Sequence, residues 1–263
     1  MKNLTLNAIS VLVLMMINAI TLKAQKLPNT QERPVTIPSD VKVDGILNEW
    51  SNKLQAFNKS TDIYYTLAHD KQNLYLAVQA SDIDIIKKIM KGGVRLTICT
   101  SGQRNDPDPL TVTFPVFPAD YERSFTYLFN KYIDAGKNKG NTDSIVNVIN
   151  KTIASGQKQI KIKGFKAIND SLISIYNTQG MKAMTLIDNK AVFTYELIVP
   201  LELIEPIARK EIAYNIMLTG ETAVVRKPST FVGVTVMANR SSRTVNQSVF
   251  YPTDFWGKYK LTD

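Results

Sequence analysis

The apolar residues of this chain come in short runs, and that feature most narrows the folds open to it. From Val41 onward, stretches such as Ile63-Tyr64-Tyr65-Thr66-Leu67 and Leu74-Tyr75-Leu76-Ala77-Val78 are rich in β-branched and aromatic residues. Each is strand length, and each is bounded by Gly, Pro, Asn, Asp or Ser, the residues that turn an antiparallel chain. The same reading predicts strands over 94–100, 110–117, 159–167, 172–177, 183–188, 191–199, 211–219, 231–239 and 255–261. Ala68 to Asn73 reads as the turn between the first two strands, and Asp188-Asn189-Lys190 as a hairpin turn. About ten strands with short connections predict an all-β fold, an antiparallel two-sheet β-sandwich of jelly-roll type.

One region breaks the pattern. Between 119 and 135, Tyr121, Phe125, Leu128, Phe129 and Tyr132 recur at spacings of three and four, the period of an amphipathic helix. Residues 142–155 repeat it with Ile145, Val148, Ile149 and Ile153, and Thr142 is placed to cap that helix. This pair reads as a short helical insertion at about 119–155 between strands of one sandwich domain, residues 41–263. A further helical turn is expected over 201–208. Residues 25–40, with Pro28, Pro34 and Pro38, read as an extended linker.

The N-terminus carries Lys2, an apolar stretch from Leu4 to Leu22 with a dense centre at Val11 to Ile17, and Leu22-Lys23-Ala24 before Gln25. That order of charge, apolar run and small residue is a secretory signal peptide, residues 1–24. The uninterrupted apolar part is shorter than the roughly 20 residues a membrane span needs, so no membrane anchor is expected after cleavage. The expected location is periplasmic or secreted. An exported chain whose single cysteine is Cys99 has no internal disulfide and must rest on its core. Cys99 ends the apolar run from Val94 and reads as a small buried hydrophobe.

The charge balance is basic, 32 Lys plus Arg against 23 Asp plus Glu. Nucleic acid is not an expected partner, because there is no Arg-rich helix, zinc spacing or RNA-binding aromatic signature. Lys158, Lys161, Lys163 and Lys166 instead interleave with Ile160, Ile162 and Phe165, as on the wet face of a strand. Catalytic equipment is sparse. His69 is the sole histidine, which excludes a multi-His metal site. No phosphate loop, nucleophile elbow or EF-hand loop is present. Asp82 with Asp84 and Asp106 with Asp108 are the carboxylate pairs to weigh for glycoside hydrolysis or calcium, and both read first as turns. No catalytic residue and no cofactor is expected, structural calcium at Asp82 and Asp84 excepted. Adjacent aromatics in a strand point to opposite faces, so one of Tyr64 and Tyr65 faces outward, as does one of Phe255 and Trp256.

Three stretches carry a likeness. Val43-Asp44-Gly45-Ile46-Leu47-Asn48-Glu49-Trp50, Asp70 to Val78 followed by Ser81-Asp82, and Tyr195-Glu196-Leu197-Ile198-Val199-Pro200 resemble, in the same order, segments of the family 9 carbohydrate-binding modules. The closing Phe255-Trp256-Gly257-Lys258-Tyr259 is similar to that family's last strand. The resemblance implies an antiparallel β-sandwich that can carry structural calcium and works beside glycan-degrading enzymes. It also implies an aromatic sugar site. The loop from Arg240 to Ser248, where the family places a tryptophan, has none, so the expected ligand-binding residues are Trp256, Tyr64, Tyr65 and Arg240. The expected function is an exported, non-catalytic carbohydrate-binding protein accessory to carbohydrate catabolism, whose partners are a glycan and a glycan-degrading enzyme. The second reading is an envelope module that has lost the sugar site and binds an envelope protein.

Overall fold

A computed structural model describes residues 26–35, 37–38, 41–51, 54–118, 120–137, 140–204, 211–220 and 251–261. Residues 1–24, expected to be a signal peptide, the strand expected at 231–239, Arg240 and its loop, and residues 205–208 of the expected helical turn lie outside them. The chain is a two-sheet antiparallel sandwich. The first sheet has the order β1-β2-β3-β9-β8: Ala56–Asn58 (β1), Ile63–His69 (β2), Asn73–Ala80 (β3), Phe193–Pro200 (β9) and Lys182–Ile187 (β8). The second has the order β11-β10-β4-β5-β6-β7: Thr253–Lys260 (β11), Glu211–Leu218 (β10), Val94–Cys99 (β4), Leu110–Phe114 (β5), Gln159–Lys163 (β6) and Leu172–Ser174 (β7).

The inner faces are the apolar half of each alternation. Leu76, Val78, Tyr195 and Leu197 from the first sheet meet Leu96, Ile98, Tyr214 and Ile216 from the second in one buried core. Three helices pack on it: Ile83–Gly92 (α1), Tyr121–Lys137 (α2) and Asp143–Gly156 (α3). The expected helical pair is therefore present as α2 and α3, with Phe125, Phe129, Ile145, Ile149 and Ile153 turned into the core. Thr142 makes no side-chain cap, and Asn141 Oδ1 instead accepts the Asp143 N–H at 2.9 Å.

Helix α1 stands where the sequence reading has only a loop. Asp82 starts it, its carboxylate accepting the N–H groups of Asp84 and Ile85 at 2.8 and 3.0 Å. That is N-cap chemistry, two orphan donors satisfied by one side chain. Ile85, Ile86, Ile89 and Met90 form the buried face, and Gly93, at φ +77°, follows the last turn. Asp82 and Asp84 are thus helix-start residues where a calcium pair was weighed.

Residues 26–35 and 37–38 form neither helix nor strand, as expected, but they are not a free linker. Gln31 is buried, and its side-chain amide pairs with the backbone of Leu67 in both directions, Nε2 to O at 2.7 Å and N to Oε1 at 2.8 Å. It extends the ladder of β2 by one side chain. Pro28 and Asn29 accept from Phe57 and Asn58 of β1. Val35, Ile37, Val41 and Val43 then lie against Leu47, Trp50, Leu54, Tyr75 and Ile198, a second apolar cluster on the outer side of the first sheet.

Candidate functional site: the outer face of the second sheet

Cross-strand register assembles the outer face of the second sheet residue by residue. Asn215 stands opposite Trp256 on one side and Thr97 on the other; Thr97 faces Thr111, and Thr111 faces Lys163. Trp256, Asn215, Thr97, Thr111 and Lys163 therefore form one row across β11, β10, β4, β5 and β6. The next row reads Asp254, Met217, Arg95, Thr113 and Lys161. At about 4.8 Å per strand, each row spans roughly 19 Å. This face carries an aromatic ring, hydroxyls and cations, with Asn215 and Thr113 buried within it, while its inner counterpart is mostly apolar.

The aromatic end is held by specific contacts. A Cβ on Gly257 would lie 2.3 Å from the Tyr214 ring, so only glycine lets that buried phenol pass beneath the strand. Tyr214 Oη shares a 2.9 Å hydrogen bond with Tyr65 Oη, and burial pushes both phenols above their ordinary pKa. Asn215 is buried beneath the row and donates through Nδ2 to Asp254 Oδ2 at 2.6 Å and to the Phe255 carbonyl at 2.9 Å. Trp256 is partly exposed. The Arg104 guanidinium, from the loop after β4, sits 5.8 Å from its ring centroid, inside cation–π range of about 6 Å.

The other sequence candidates are scattered. Tyr64 lies on the opposite outer face, 37% exposed, with its ring 4.7 Å from that of Phe57. Trp256 and Tyr64 thus sit on different sheets, both facing outward, and cannot share one ligand ring. Tyr65 is fully buried in the core and accepts the Gln31 N–H at 2.8 Å, so it cannot touch a ligand. Trp50 is also buried, its Nε1–H donating to Glu196 Oε1 at 3.2 Å. His69 Nδ1 is 2.9 Å from Tyr259 Oη, a link between β2 and β11.

Two concavities lie elsewhere. One of about 310 Å³ gathers Asp106, Asp108 and Glu202 beside Lys166. Asp106 is already committed to its loop, accepting from the Ser101 and Asp108 N–H groups at 3.0 Å each. Partial burial alone would raise its pKa, but these donors and the Ser101 hydroxyl outweigh that and hold it below the usual carboxylate value. A wider groove of about 560 Å³ is polar, edged by Lys71, Gln72, Asn73, Gln179 and Lys182, with no aromatic on its walls. Among the described residues no three His, Cys, Asp or Glu side chains converge as a metal site.

The sequence reading missed Asn215, Thr97 and Thr111. Their individual identities are ordinary for strands, and only register places them in line with Trp256. Trp256 and the alternation of Lys161 and Lys163 with Ile160 and Ile162 are the parts of the platform visible along the chain. It also missed Glu196 as a hub. The N–H groups of Asp44 and Gly45 donate to Glu196 Oε2 at 3.1 and 2.9 Å, and Trp50 to Oε1. Two of the stretches that resemble family 9 modules therefore meet at one buried carboxyl. Comparison of the sequence with protein-family models and with curated proteins found no match, so the likeness to family 9 carbohydrate-binding modules rests on those stretches alone.

Proposed function

We propose that this chain is an exported, non-catalytic glycan-binding protein that works beside glycan-degrading enzymes, and that its site is the outer face of the second sheet. The observation that carries the reading is the five-strand row from Trp256 through Asn215, Thr97 and Thr111 to Lys163. A pyranose ring offers an apolar face to stack on an aromatic and equatorial hydroxyls to hydrogen-bond side by side. One partly exposed tryptophan followed by hydroxyls and cations along an extended row matches that chemistry. The rigid strands hold these groups before a ligand arrives, which lowers the ordering cost of binding. Residues 1–24 supply the export step in this reading.

Affinity electrophoresis of residues 25–263 through gels containing soluble polysaccharides tests it. Retardation in at least one gel, lost in Trp256→Ala and kept in Tyr64→Ala, is the expected result, with no reducing ends released during long incubation. Retardation unaffected by Trp256→Ala would move the site elsewhere. The second reading, a module that binds an envelope protein, draws on Tyr127 of α2 and Val148 of α3, which are 64% and 47% exposed. No retardation in any gel would favour it.

A further inference from the structure

The charge on the same platform narrows its ligand. Arg95, Lys161, Lys163, Lys258 and Lys260 all project from the outer face of the second sheet by register, and Arg104 reaches over Trp256. The face also carries Asp254 and Glu211, and both are engaged. Asp254 accepts from Asn215 at 2.6 Å, and Glu211 accepts from Lys258 at 3.0 Å. Among the described residues, no carboxylate pairs with Arg95, Lys161 or Lys163, and Arg95 Nη1 rests 3.9 Å from the Met217 sulfur. Two cations are thus left at the β6 end of the platform and one, Arg95, on its central strand β4, with Arg104 at its aromatic end.

Resting on the glycan-binding reading, we propose that this platform takes an acidic polysaccharide, one whose sugars bear carboxylates. A sugar ring stacks on Trp256 beside Arg104. The chain then crosses β10, β4 and β5 along the Thr97 and Thr111 hydroxyls. A uronate carboxylate at the far end meets Lys163 and Lys161, and another over the central strand meets Arg95. The strand spacing of about 4.8 Å is close to the rise per sugar in an extended chain, so successive residues of the row address successive sugars. Neutral glycans satisfy the hydroxyls and the ring and leave the cations without a partner.

The test uses the same chain on paired gels: polygalacturonate against its methyl ester, alginate against neutral β-glucan, and glucuronoxylan against unsubstituted xylan. At least one acidic polymer is expected to retard the protein ten-fold or more strongly than its uncharged counterpart. That retardation should fall steeply between 0.05 and 0.5 M NaCl, as exposed charge pairs are screened over a Debye length of about 10 Å at 0.1 M salt. The Arg95→Gln/Lys161→Gln/Lys163→Gln protein should lose roughly ten-fold in affinity, the equivalent of a few exposed ion pairs at under 1 kcal/mol each. Lys131→Gln/Lys151→Gln, which removes two cations from the helical pair, should leave it unchanged. Circular dichroism checks that each variant is folded. Equal retardation by acidic and neutral partners, or by a neutral polymer alone, overturns the acidic assignment and leaves the glycan reading intact. Equal losses in both sets of variants overturn it too, because binding would then follow net charge. Preference for sulfated over carboxylated chains also overturns it as stated. Retardation by nothing at all overturns both readings.

Discussion

The two outer faces of the sandwich are built by the same alternation and end in opposite conditions. On the first sheet, register lines up Ala68, Tyr75, Ile198 and Lys182 in one row and Thr66, Ala77, Glu196 and Met184 in the next. Ala68, Tyr75, Ala77 and Ile198 at the centre of these rows let Val35, Ile37, Val41 and Val43 lie against them. Trp50 and Leu47 are buried there, and Glu196 is satisfied by Asp44, Gly45 and Trp50. On the second sheet the matching rows mix Met217, Ala213 and Cys99 with Asn215, Thr97, Thr111, Arg95, Lys161 and Lys163, and an apolar segment laid across the latter would strand polar groups. Period-two alternation therefore says only that one face is inside. What happens on the other face depends on whether a distant segment of chain has a reason to cover it.

Predictions that break the covered face carry the largest effects. Gly45 has φ +83°, and a Cβ there would lie 2.8 Å from the Leu186 Cβ. Gly45→Ala should lower stability by about 3 kcal/mol, combining a disfavoured backbone with overpacking, read as a shift of the urea midpoint. It should leave the opposite platform intact, since the Cβ would press on Leu186 and Thr185 of β8, at the far edge of the other sheet.

Glu196 gives a pH signature of nearly the same size. Burial lifts its carboxyl to about 7, against the opposing hydrogen bonds from Gly45, Trp50 and Asp44. The unfolded carboxyl ionises near its ordinary value while the folded one keeps its proton. Between these two values the unfolded state binds fewer protons, so stability falls as pH rises from about 4.5 to about 8. The fall should amount to roughly 3 kcal/mol. Asp70 and Asp106, both lowered below the ordinary carboxylate value, change stability only at more acidic pH and do not blur this window. Unfolding free energies at pH 5 and pH 8 measure the slope, and Glu196→Gln should flatten it.

Gln31→Ala removes the amide that pairs with Leu67 and leaves that backbone N–H and C=O unmatched beneath the arm, a loss of about 2 kcal/mol. Hydrogen exchange at the Leu67 amide should quicken as well. The partly exposed Thr97 and Thr111 of the platform stand at the other extreme. Thr97→Ala and Thr111→Ala should change stability by no more than about 0.5 kcal/mol, yet weaken glycan retention measurably. A large stability loss from either would mean that this face, too, is covered, and the contrast between the faces would fail.

Much of the architecture was readable along the chain because local chemistry decides it. Asp188 was legible as a turn residue, and its Oδ1 does accept from Lys190 and Val192 in the β8–β9 hairpin. The aromatic and aliphatic spacing of α2 and α3 survives in their buried faces, except that Val146 rather than Val148 turns inward. Helix α1 was legible in principle, from Asp82 as N-cap, the Ile85, Ile86, Ile89 and Met90 stripe, and Gly93 after it. Its shortness and its place between two strands hid it among the turn residues. The arm at 26–38 was not legible, because one glutamine side chain rather than a hydrophobic pattern ties it down.

The sequence by itself determined the strand alternation, the hairpin turn at Asp188 and the helical pair, since each depends on neighbours within a few positions. Tertiary structure alone decided that Tyr65 is core while Tyr64 is surface, and that Trp256 and Tyr64 lie on opposite sheets. It also decided that Glu196 closes the turn at Gly45 and that Asn215, Thr97, Thr111 and Lys163 form one row. The physical reason is that register and sheet order join residues far apart in the chain, and the side-chain chemistry that fixes them is shared among strands rather than written in any one of them.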